Sequence, residues 1–206
     1  ELMSRRRASD MRVLHWYSAV SSVWAINPNV NRRVDPDRPE TKWKAELLGD
    51  KRFRQALSLA INRDAVIQAE YNRQVKAAQV SPGPESPFHN PTLAGAYTQY
   101  DPARANQLLD ELGLTQRDVD GMRTFPNGHT MTFYLDFTSY SGVGPAQFVV
   151  DDWAAVGVRA IVRERARTLF YVEKDSMEFD FNVWSSESDL FPLLEPRYYV
   201  PTFTES

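Results

Sequence analysis

The chain has 206 residues, 24 basic against 27 acidic for a net charge of −3, no cysteine, and 42% hydrophobic residues. That length fits one large domain or two small ones with a buried core, and the near-balanced charge leaves no basic excess for a nucleic-acid or anionic-membrane partner. The missing cysteine excludes disulfides, thiolate metal sites and cysteine nucleophiles, and no apolar run approaches the roughly 20 residues of a membrane-spanning helix.

In chain order, residues 12–27 read as a strand region, and 28–44, with three prolines and many charges, as a surface connection. Gly49 and Asp50 make a helix start, after which Phe53, Ala56, Leu57, Ala60 and Ile61 keep the spacing of one buried helical face. Asn62 is placed to cap a second helix over 63–72, with Val66, Ile67 and Ala69 inward. Residues 80–100 hold four prolines and no periodicity, which predicts a long ordered loop or an interaction segment.

Asp101-Pro102 opens the clearest helix: an N-cap, a proline where its missing N–H costs nothing, an Ala105, Leu108, Leu109, Leu112 stripe, and Gly113 as the left-handed stop. Met131, Phe133, Leu135 and Phe137 alternate as a strand over 131–137. A helix over about 145–156 ending at Gly157, a strand at 158–163, a helix at 166–176 and a second alternating run at 179–184 follow. Strands and helices in alternation with short links predict an α/β fold with a mainly parallel or mixed sheet. The stretch 190–203 (LFPLLEPRYYVPTF), left uncovered, would expose Phe191, Leu194, Tyr198, Tyr199 and Phe203. With a first residue, Glu1, that is not methionine, this makes the chain an expected segment of a longer protein whose remainder covers that strip.

No catalytic constellation is visible. His15, His89 and His129 are scattered without a partner at metal-ligand spacing, so no metal is expected. Asp118 and Asp120 before Gly121 fail as a calcium loop and read as a charged turn. The run SGVGP (141–145) lacks a P-loop lysine, although the helix start behind it could receive a carboxylate. Adjacent Asp151 and Asp152 point in different directions and suit solvation rather than acid–base work. No serine stands in a G-x-S-x-G elbow. What does stand out is Trp184 at a strand's carboxyl end, followed by Ser185, Ser186, Glu187, Ser188 and Asp189. A flat apolar wall beside hydroxyls and carboxylates is equipment for a small-molecule site. Tyr140 and Ser141 would lie at a comparable level if the two strands run parallel.

The run FRQALSLAINRDAVIQAEY (53–71) resembles the helix signature of the bacterial extracellular solute-binding proteins of family 5, the oligopeptide-, dipeptide- and nickel-binding components of ABC importers. The matching positions are Arg54, Gln55, Ala56, Leu57, Ala60, Ile61, Arg63, Ala65 and Ile67, with Asn62 in place of the usual aspartate. Residues 100–114, 119–135, 146–164 and 178–186 resemble four further family motifs in the same order.

The resemblance implies a lobe with a mixed sheet flanked by helices, one of two lobes that enclose a ligand. It divides 1–206 into a lead-in strand and connection (1–50), the lobe core (51–186) and a segment leading back toward the missing lobe (187–206). It also implies export to the periplasm or the extracellular face of the membrane, with the signal upstream of Glu1. The partners implied are a peptide or other small solute, the second lobe and an ABC permease, with no cofactor, no catalysis and no nucleic acid. Peptide-binding relatives place an aspartate three residues after the tryptophan to meet the peptide amino group. Glu187 holds that position here. Trp184 would pack against the ligand, Glu187 would pair with a cation, and Tyr140 with Ser141 would line the far side. The alternative is the same lobe reused as a non-transport ligand-sensing or protein-interaction module.

Overall fold

The computed structural model describes the backbone of residues 22–187, with side chains from Trp24 to Trp184. Four strands form one sheet: β1 (Ser22–Pro28), β2 (Thr132–Phe137), β3 (Arg159–Glu164) and β4 (Phe181–Glu187), in the order β1-β4-β2-β3. β2 runs parallel to both β3 and β4, and β1 closes the far edge antiparallel to β4. The fold is mixed α/β, as the alternation of elements predicts.

Seven helices accompany the strands among the described residues: α1 (Glu40–Gly49), α2 (Lys51–Ala60), α3 (Arg63–Tyr71), α4 (Pro91–Ala94), α5 (Pro102–Glu111), α6 (Gly144–Ala155) and α7 (Arg167–Asp175). The predicted caps form. Asp50 accepts from the Arg52 N–H at 2.8 Å, Asn62 from Ala65 at 3.1 Å and Asp101 from Arg104 at 2.9 Å. Gly113 adopts φ +80°, the left-handed conformation that ends α5.

The structure corrects the sequence reading in three places. Part of the expected surface connection 28–44 is α1, whose inward side carries the polar Thr41 and Lys44. Ala69, expected inward, is exposed and Ile67 only half-buried, because α3 turns just Val66 fully into the core. The loop 80–100 is interrupted by the single turn α4, whose cap Asn90 accepts from Thr92 at 3.0 Å. The strand region read at 12–21 and the apolar stretch 190–203 lie outside the described residues.

Residue parity decides what each sheet face meets. Phe133 packs on Phe53 of α2 and Phe181 on Trp153 of α6, with ring centres 5.3 and 5.0 Å apart. Trp153 also donates its indole N–H to the Leu57 carbonyl at 3.1 Å, locking α6 to α2. Each such ring removed from water contributes roughly 1.5–3 kcal/mol. The opposite face begins with Trp184, three residues on from Phe181, which stacks on Phe170 of α7 at 5.5 Å. Helices therefore cover the sheet from both sides, and the loop after β2 emerges at its carboxyl edge.

Two buried charges pin the connections. Asp180, 1% exposed, takes Lys44 of α1 at 2.6 Å, Arg32 at 2.7 Å and the Tyr134 N–H at 3.0 Å. Burial pulls the Lys44 ammonium below its ordinary pKa, against the opposing pull of Asp180. Arg123 bonds Asp110 at 2.6 Å, Asn106 at 2.7 Å and the carbonyls of Val156 at 2.9 Å and Leu114. It thereby satisfies backbone acceptors near the ends of both α5 and α6.

Candidate functional site

β2 and β4 run parallel, so the loop after β2 leaves the sheet at the level of Trp184 within β4, and the topology brings Tyr140 and Trp184 together. Their ring centres are 5.9 Å apart with planes at 35°. Tyr140 therefore lies against Trp184 on one wall and does not face it across an opening. Ser141 is adjacent, but its hydroxyl donates to the Val183 carbonyl at 3.3 Å, so it fastens the β2 loop to β4. The Trp24 indole N–H reaches the Gly142 carbonyl of that loop at 3.5 Å. β4 continues three residues past Trp184, pairing Ser185, Ser186 and Glu187 with Trp24, Val23 and Ser22. The side chains of those three residues, and Ser188 and Asp189, lie outside the described residues.

The environment of Trp184 holds residues that sequence reasoning missed. Phe170, buried, stacks on it; Tyr171 meets it edge-on at 5.8 Å; and the Arg167 guanidinium lies 5.7 Å from its centre. Trp184 is thus the half-buried middle of an aromatic group, and Tyr140, at 72% exposed, is the ring with the most free surface, ahead of Tyr171 at 38%. The sequence signal for α7's part in this was its Phe170-Tyr171 pair, which periodicity alone assigns to no particular face.

The remaining candidates resolve as follows. Gly144 opens α6 with no side-chain cap, and the Glu70 carboxylate lies so close that a Cβ at Gly144 would overlap it. An internal carboxylate thus occupies the positive end of α6. Asp118 accepts the N–H groups of Asp120 and Met122, both at 3.0 Å, and Arg159 pairs with both carboxylates, at 3.1 and 2.9 Å. It is a charged turn. His89 Nδ1 sits 2.8 Å from the Pro82 carbonyl; His15 lies outside the described residues.

Asp151 accepts from Gln147 at 2.9 Å at the surface, whereas Asp152, expected to be solvated, accepts the Asn62 N–H at 2.7 Å. Burial raises the Asp152 carboxyl above the ordinary aspartate value, with the neighbouring Asp151 charge adding to it and the Asn62 bond opposing.

In sequence, the chain is 34% identical over 120 residues to the dipeptide-binding protein of Escherichia coli, a match covering 55% of this chain and 19% of that protein. It is 31% identical over 111 residues to the glutathione-binding protein GsiB of Pectobacterium atrosepticum, covering 54% of this chain and 19% of that one. In structure it superposes on an oligopeptide-binding protein OppA with a TM-score of 0.84 and 33% identity, over 97% of this chain and 30% of that chain. The chain therefore spans only a minor part of the proteins it matches. The family described as bacterial extracellular solute-binding proteins, family 5 (middle portion), matches residues 5–205, and the chain belongs to that family.

Proposed function

We propose that this chain is one lobe, a single domain over 1–206, of the substrate-binding component of an ABC importer. It captures a peptide or similar solute between two lobes at the periplasmic or extracellular face of the membrane and delivers it to a permease. The observation that carries this reading is the aromatic wall at the carboxyl edge of two parallel strands, where open α/β sheets bind their ligands. Tyr140 offers its exposed ring, Trp184 backs it, and Ser185, Ser186 and Glu187 continue β4 from the same point. Ser141 holds the loop in place. The matches to dipeptide-, glutathione- and oligopeptide-binding proteins support a peptide-like solute. Ligand contacts to both lobes would shift the population toward a closed form. The test is calorimetry on the full-length protein with peptides of two to five residues. Tyr140→Ala and Trp184→Ala should each weaken binding at least about ten-fold, the loss of one buried aromatic contact. Unchanged affinity in both variants would remove the site from this wall.

A further inference from the structure

Arginines occupy alternate positions as the chain runs out of β3: Arg163, Arg165 and Arg167. The sheet register sets Arg163 beside Asp136, and Asp136 beside Asn182, on the face that Trp184 shares. The first two arginines are neutralised. Arg163 grips Asp136 with bonds of 2.7 and 2.8 Å, and Arg165 lies 3.1 Å from Glu173 and 3.5 Å from Asp136. The third is different. Arg167 is exposed and has no carboxylate partner among the described residues. Its guanidinium lies instead 5.7 Å from the Trp184 ring centre and 5.9 Å from that of Tyr171.

A guanidinium held against ring faces is positioned without using its in-plane N–H donors, which stay free for a planar acceptor. Arg167 is also the first residue of α7, behind an Ala166 that has no side-chain cap, so the helix's positive end adds to the same spot. A cation so placed at the rim, while its two neighbours are paired, suits an anion arriving from outside the lobe. Glu70 already fills the other helix start at this edge, next to Gly144, which leaves Arg167 as the open position.

We propose that Arg167 receives a carboxylate of the solute, whose apolar body lies along Tyr140 and Trp184; this rests on the importer-lobe reading above. The carboxylate can belong to a peptide C-terminus or to an acidic side chain. The experiment measures affinities of the full-length protein for matched peptide pairs, C-terminal acid against amide and internal Glu against Gln. The pair that the protein discriminates identifies which carboxylate is bound.

The wild type should prefer the acidic member of one pair by at least about ten-fold, as expected for a charge-assisted bidentate contact. Arg167→Gln should erase the preference, and Arg167→Lys should keep part of it. Because the side chain is exposed, the melting temperature should not move in either variant. A preference equally large in Arg167→Gln, or none in the wild type, overturns the assignment. If Tyr140→Ala and Trp184→Ala still weaken every peptide in that case, the wall remains the binding site and only Arg167 loses its role. If no peptide binds the wild type, the peptide part of the importer-lobe reading falls together with it.

Discussion

At the level of single residues, Asp180 is the side chain that neutralises two buried cations. It holds Lys44 and Arg32 away from water at 2.6 and 2.7 Å while also accepting the Tyr134 N–H. Such a cluster is weak as net stabilisation but costly to break, because the remaining charges stay buried without a counter-ion. Asp180→Asn keeps the shape and leaves two cations side by side. It should lower unfolding free energy by about 3–5 kcal/mol in urea denaturation, and a loss below about 1 kcal/mol would mean that the cations escape to solvent. The loss should narrow at high pH: burial already pulls the Lys44 pKa down, and without Asp180 the ammonium releases its proton more readily. None of this was legible in the sequence. Lys44 and Asp180 are 136 residues apart, and a lysine on the inward side of a segment rich in charge and proline disguised α1 as a surface connection.

The helices and strands show the same division between local and distant information. α5 was legible because Asp101, Pro102, its leucine stripe and Gly113 are all local chemistry, and β2 because its alternation survives even with Asp136 buried on the second face. Tyr140 and Trp184 could be set at one level in advance, since parallel strands suffice for that, but their contact on one wall could not, and the sequence put them on opposite sides of the ligand. Arg167 could not be placed in advance, because the register of α7 over the second face is fixed by the stacking of Phe170 on Trp184. Asp152 is a similar case, a link from α6 to the backbone N–H that opens α3. Its native pKa is raised, so the penalty for its charge is absent below the ordinary aspartate value of 3.8 and complete above the native one. The wild type should therefore lose stability relative to Asp152→Asn as pH rises through that window. Urea midpoints measured from pH 3.5 to 7 should show the variant gaining on the wild type. A constant difference would place the carboxylate in solvent. Asp152→Ala, which removes the acceptor as well, should cost about 1 kcal/mol at neutral pH.

For the whole molecule, the sheet is covered by helices on both faces and, on the reading proposed above, offers its carboxyl edge, with the aromatic wall and Arg167, to a second lobe. A solute held between two lobes divides its contacts between them, whereas the loss of its translational and rotational freedom is met in full by whichever lobe binds first. A ligand bound at about 1 μM has roughly −8 kcal/mol, and halving the contacts leaves at best about −4 kcal/mol, a dissociation constant near 1 mM. This chain alone should therefore give no saturable heat when peptides of two to five residues are titrated in at micromolar concentrations, while the full-length protein saturates. Restoring the rest of the protein should restore affinity with the slower dissociation expected of a closed form. Tight binding by the isolated chain would mean that a single wall carries the recognition, against the proposed capture between two lobes.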